Sequence, residues 1–157
     1  MDAQRIATKL WMGSYPRGPV RYEFNALVLC AKELQEHFEH PDPPRILVRV
    51  PLDDHEPTPA EVKLALRGAR RVNELRRQGL RVLVTCAQGI NRSGLVVALA
   101  LVLDGMPAAQ AIQAVRQGRR HPAGVQALRN PHFVKVISNV DRAARKTRQA
   151  HGLAPNR

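Results

Sequence analysis

A chain of 157 residues is long enough to bury a core of its own in one domain, with no disulfide or structural metal needed to staple it. Hydrophobic residues at 44% and charged residues at 24% exclude wholesale disorder, and aromatics at 4% argue against a stacking-based reader of single-stranded nucleic acid. Two cysteines, Cys30 and Cys86, rule out a disulfide framework or a Cys-rich zinc site. The net charge of +12 is unevenly placed: residues 1–104 hold 15 Lys/Arg against 12 Asp/Glu, and the remainder holds ten against one, Asp141.

The opening MDAQRIATKLWMGSYP lacks the apolar stretch of a targeting signal, and the longest apolar run, residues 95–103, is too short to cross a bilayer. The expectation is a soluble, cytoplasmic protein. A single domain is expected over residues 1–157, with a flexible basic tail over about 149–157. Residues 27–30 and 46–50 are short, branched-rich runs that suit buried strands. Between them residues 32–40 have a helical pattern, stopped by Pro41, Pro43 and Pro44. Thr58-Pro59-Ala60-Glu61 then combines a capping threonine, a proline for the first helical position and the glutamate of a capping box. Val62, Ala65, Leu66, Ala69, Val72 and Leu75 continue that helix at 3.6-residue spacing until Gly79. Residues 81–85 (RVLVT) form the next strand, and residues 93–103 an almost wholly apolar, therefore buried, helix. Helices are also expected over residues 107–117 and from 131 to about 148. This order implies an α/β domain, with helices on both faces of a sheet.

The stretch from Val82 to Gly94 carries the chemistry: a buried strand, a short loop, then a buried helix. Such a loop wraps its N–H groups around a point beyond a helix N-terminus, where an anion is favoured. The phosphate-binding positions are Ala87, Gln88, Gly89, Ile90, Asn91 and Arg92; Gly89 allows a close turn and Ala87 leaves room for a ligand. Cys86 sits on the rim of this positive concavity, a setting that favours the nucleophilic thiolate. The planar fork of Arg92 suits two phosphoryl oxygens, and the Ser93 hydroxyl can donate to the sulfur as it leaves.

Cys86, Gly89, Arg92 and Ser93 together resemble the signature of the cysteine-based protein phosphatases: Cys, five residues, Arg, then Ser or Thr. The match extends to Leu10-Trp11-Met12-Gly13-Ser14, similar to the opening strand pair of the dual-specificity branch. Arg119-Arg120 and Asn130-Pro131-His132-Phe133 are similar to its closing segment. The resemblance implies a central mixed, mainly parallel sheet of about five strands flanked by helices. It also implies a two-step cysteinyl-phosphate mechanism and no metal or other cofactor. It places the general acid on the loop Val50-Pro51-Leu52-Asp53-Asp54-His55-Glu56-Pro57, where Asp54 fits the lead-in best and Asp53 is the alternative.

Two residues depart from the pattern. Thr85 stands where the family usually has His; its hydroxyl is expected to orient the loop. Asn91 before the arginine is similar to the RNA 5′-triphosphatase subgroup. The general phosphatase signature makes phosphorylated proteins the expected partners, at phosphotyrosine, phosphoserine or phosphothreonine. The alternatives are an RNA 5′-triphosphatase or diphosphatase using the basic C-terminal region, and an inactive pseudophosphatase that only binds phosphate. Arg119, Arg120 and Asn130 are expected to brace the loop, with substrate binding as the alternative. Cys30 reads as a small buried hydrophobe, with a regulatory disulfide to Cys86, as in some relatives, as the alternative. Trp11 is expected to pack under the first hairpin. The oligomeric state is not legible.

Overall fold

The computed structural model describes residues 1–36, 38 and 42–152. Five strands form one sheet: β1 (Ala3–Ala7), β2 (Leu10–Ser14), β3 (Ala26–Ala31), β4 (Ile46–Leu52) and β5 (Val82–Cys86). Their order is β1-β2-β5-β3-β4. Only the β1–β2 hairpin is antiparallel, and the other neighbours run parallel. The expected mixed, mainly parallel sheet is therefore present, flanked by α1 (Pro59–Arg77), α2 (Arg92–Leu103), α3 (Ala108–Gly118) and α4 (Pro131–Ala150). The three strand runs read from the sequence fall on β3, β4 and β5.

Local chemistry sets the helix ends. Thr58 accepts from the Glu61 N–H while the Glu61 carboxylate accepts from the Thr58 N–H, closing the capping box with Pro59 in the first turn. Gly79, at φ +80°, takes the left-handed conformation just beyond the other end. Eleven of the twelve residues of α2 are buried, so it forms the centre of the core. Each fully buried leucine there, such as Leu95 or Leu99, contributes about 1.5–3 kcal/mol by leaving water.

Two expectations need correction. Among the described residues, the α-helices do not cover both faces of the sheet. Along β3 and β5, Ala26, Val28, Cys30, Val82, Val84 and Cys86 face a core shared with all four α-helices. The alternate residues Leu27, Leu29 and Leu83 pack instead against Val20 and Phe24, with Trp11, Tyr15 and Phe38 alongside. Strands apolar on both faces need cover on both, and here the segment between β2 and β3 supplies the second. Trp11 meets Phe24 edge-on at 5.5 Å within that layer. In the described part of the expected helix over residues 32–40 there is a single 3-10 turn, Lys32–Leu34, because the Gln35 amide donates back to the Leu29 and Ala31 carbonyls at 2.9 Å and folds the chain onto the end of β3. Residues 37 and 39–41 of that segment lie outside the described residues. So do residues 153–157 of the expected tail, whereas α4 continues to Ala150. No helix among the described residues is long and apolar enough to cross a membrane.

Candidate active site

Parallel strands deliver their following loops to one edge of a sheet, and a site collects there. The C-terminal ends of β3, β4 and β5 bring Glu33, Asp54 and Cys86 to that edge, and the start of α4 closes it with Asn130 and His132. A cavity of about 790 Å³ opens between them, lined by Cys86, Asp54, Arg92, Asn91, Arg129 and Asn130 among others.

The loop from Ala87 to Asn91 has its carbonyls tied outward. Ala87 O accepts from Tyr15 N at 3.3 Å, Gln88 O from Arg119 Nη2 at 3.1 Å, Gly89 O from Arg119 Nε at 2.9 Å, and Ile90 O from Leu128 N at 3.0 Å. In a trans peptide the next N–H points opposite its carbonyl. The N–H groups of Gln88, Gly89, Ile90 and Asn91 are thus turned toward the inside of the loop, and none has an acceptor among the described residues. Four convergent donors ahead of the α2 N-terminus make a nest of the kind that suits an anion. Gly89 is required there. Its φ is +64°, and a Cβ would come within 2.4 Å of the Gly13 carbonyl group.

The side chains add to this nest. Ser93 Oγ lies 3.2 Å from Cys86 Sγ, a hydrogen bond in which either group can be the donor. Arg92 is buried and doubly hydrogen-bonded to Glu33, with Nη2 donating at 2.8 Å, while Nη1 also donates to Leu52 O at 3.2 Å. Burial opposes its charge, but the Glu33 hydrogen bonds and the nearby Cys86 and Asp54 hold its pKa above the ordinary value. Its buried Nε has no partner among the described residues, which leaves that donor for an anion in the cavity. Asp54 lines the cavity. Asp53 does not: it pairs with Lys32 at 2.9 Å, which holds its carboxyl below the usual range. Asp53, His55 and Glu61 approach within 4.8 Å of one another, but Lys32 and the capping box already engage the two carboxylates.

Arg119 braces the loop. Fully buried, it holds two loop carbonyls and makes a two-pronged ion pair with Asp2 at 2.6 Å and 2.6 Å. Asn130 holds Asp54, donating from Nδ2 to Oδ1 at 3.0 Å, and Arg120 is exposed. Thr85 does not reach the loop: its hydroxyl is buried and directed at Val28 O on β3, 3.4 Å away. Cys30 is a fully buried free thiol on β3. Burial first, then the neighbouring Cys86, holds its pKa well above the ordinary value, so it remains a neutral packing residue. Glu33 and Asp2 were not singled out in the sequence; each meets its arginine across a long stretch of chain, and no local spacing marks either.

The Arg119 hydrogen bonds lower the Asp2 pKa from 3.8 to about 2, against some burial. A carboxyl lowered on folding stabilises the fold fully above its unfolded value and loses that contribution as pH falls through the folded one. Asp2→Asn is accordingly expected to cost about 1.5–3 kcal/mol at neutral pH, the worth of hydrogen bonds to a charged group. It is also expected to flatten the stability change between about pH 4 and pH 2. Denaturant titrations of both proteins across that range check this.

No family model matches the sequence, and no curated protein matches it. Solved structures do match in fold. Human DUSP28 superposes with a TM-score of 0.76 at 20% identity, covering 92% of this chain and 96% of its own. A mouse dual specificity phosphatase complexed with zinc tungstate gives 0.71 at 19%, covering 99% and 93%. The human tyrosine phosphatase-like serine/threonine/tyrosine-interacting protein gives 0.71 at 16%, covering 91% and 97%. The chain therefore has the α/β fold of the dual-specificity branch of the cysteine-based phosphatases.

Proposed function

We propose that the protein hydrolyses phosphomonoesters through a phosphorylated Cys86, acting on phosphorylated side chains of proteins. The outward-tied loop around Cys86 carries this reading. Its inward N–H groups and Arg92 are suited to the three non-bridging oxygens of a phosphoryl group, and the sulfur stands at the base. In the first step Cys86 Sγ bonds to phosphorus as the bond to the ester oxygen breaks. The departing oxygen takes that electron pair and a proton from Asp54. Water then attacks phosphorus and gives a proton to the Asp54 carboxylate, and the S–P bond breaks to restore the thiolate with Ser93 donating to it. The products are the alcohol or phenol and inorganic phosphate. The nest and Arg92 stabilise the charge on the transferring group in both steps.

One of the fold's relatives is named as phosphatase-like, so the fold does not by itself guarantee turnover. What favours an enzyme over a binding module is that Cys86, Arg92, Ser93 and Asp54 are all retained, with Asp54 on the cavity wall beside the loop. Protein substrates are favoured over RNA ends by the position of the basic residues of α4; of the basic C-terminal region, Arg129 lines the cavity. At 1.5 Å per residue along α4, Arg142, Lys146 and Arg148 stand roughly 15–25 Å from its cavity end.

The purified protein is expected to hydrolyse an aryl phosphate in the presence of a chelator, with tungstate as a competitive inhibitor. In a panel of phosphotyrosine peptide, phosphothreonine peptide and RNA 5′-triphosphate, the peptides should turn over faster. Release of the γ-phosphate from RNA at a higher kcat/KM would replace the protein reading with the RNA one, and no turnover of any member would leave a binding module.

A further inference from the structure

Asn91 occupies the N-cap position of α2, where an asparagine normally accepts a hydrogen bond from the first helical turn. Here its side chain makes no such bond. Its Oδ1 accepts from two backbone groups at the entry to α4, Arg129 N at 2.8 Å and Asn130 N at 3.1 Å. Two donors on one amide oxygen fix the amide's orientation, because the reversed group would face them with its own N–H. The NH₂ end must then point the other way, and it donates to Asp54 Oδ2 at 2.9 Å. The second oxygen, Oδ1, is held by Asn130, whose Nδ2 also reaches His55 O at 3.1 Å.

Three segments that share no secondary structure thus meet on one amide: the phosphate loop, the β4–α1 loop carrying Asp54, and the entry to α4. Asp54 is exposed and anchored to no other described side chain, so these two amides define where its carboxyl stands. Asn91 is also covalently adjacent to Arg92. The position of the acid is thereby tied directly to the group that grips the phosphate.

We propose that Asn91 is the positioning residue that registers Asp54 against the ester oxygen of a phosphoryl group held in the loop. It touches no reacting atom and acts through Asp54, so the proposal rests on the phosphatase reading above. A misplaced acid slows only those reactions whose leaving oxygen needs its proton. With kcat/KM reporting formation of the cysteinyl-phosphate, Asn91→Ala should slow a poor leaving group roughly tenfold, part of the 10²–10⁴ that a well-placed acid supplies. For a nitrophenol, which departs without a proton, the loss should be smaller, and what remains of it reports the phosphate loop itself.

The test is a double-mutant cycle of Asn91→Ala and Asp54→Ala, measured with aryl phosphates of increasing leaving-group basicity. The expected result is a loss that grows with leaving-group basicity, a growth that disappears in the Asp54→Ala background. Thermal unfolding of Asn91→Ala beside the wild type, together with its affinity for tungstate, shows that the variant has folded. Asn91→Asp keeps an acceptor for the two α4 N–H groups but sets a carboxylate against Asp54; it should be at least as slow as Asn91→Ala. An equal loss for all leaving groups, or a growth with basicity that persists without Asp54, would overturn the assignment while leaving the phosphatase reading intact. A wild-type protein with no activity would overturn both.

Discussion

Cys86→Ser is expected to abolish turnover of every phosphomonoester while phosphate and tungstate still bind. A serine hydroxyl at this position is a far weaker nucleophile than a thiolate, and the side chain within hydrogen-bond distance of the sulfur is the Ser93 hydroxyl, which is not a base. The four inward N–H groups belong to residues 88–91, and Arg92 is fixed by Glu33 and Leu52, so the anion site does not depend on sulfur. Calorimetry with tungstate beside a turnover assay separates the two properties. Turnover surviving in this variant would mean that Cys86 is not the nucleophile.

Asp54→Ala should reduce kcat/KM by about 10²–10⁴ for substrates with basic leaving oxygens, the usual share of a positioned general acid. The loss should shrink toward nothing as the leaving group becomes less basic, because a stable phenolate departs unaided. The same variant lacks the base that activates water, so the second step slows for every substrate and the phosphorylated protein should accumulate. Asp53→Ala should do neither, since Asp53 is paired with Lys32 and does not line the cavity. The reverse result would move the acid role by one residue. Steady-state kinetics on both variants with paired aryl phosphates decides it.

Much of this site is legible because its chemistry is contiguous. Cys86, Gly89, Arg92 and Ser93 lie within eight residues of one another, and a strand, a tight turn and an apolar helix impose their geometry locally. The capping box at Thr58 and Glu61 is legible for the same reason. Asp54 stands on a loop between two elements that the sequence marks well, β4 and α1. What the sequence does not display is pairing across the chain. Glu33 meets Arg92 from 59 residues away, Asp2 meets Arg119 from 117, and Asn91 meets Asp54 from 37. A free surface glutamate and one bonded to a buried arginine look alike in a string of letters. The two fold corrections have the same origin. The continuous apolar run of β3 specifies burial on both faces but not whether a helix or a loop covers each. The helical pattern after β3 is ended by Gln35, whose bonds to carbonyls on the preceding strand exist only once that strand is in place.

Thr85 illustrates a different limit. A small hydroxyl was expected to orient the phosphate loop, but its hydrogen bond runs to the neighbouring strand. The bracing falls to Arg119, which holds the loop by its carbonyls from outside. The loop is thus shaped by a buried arginine anchored to β1's approach rather than by the residue preceding the cysteine.

The most direct test of the central claim is to quench wild-type and Asp54→Ala protein in acid during turnover of an aryl phosphate and to map phosphate by mass spectrometry of the peptide containing Cys86. The account requires a phosphate adduct on Cys86 Sγ, transient in the wild type and abundant in Asp54→Ala. Turnover with no adduct on Cys86, or with phosphate on another residue, would contradict it.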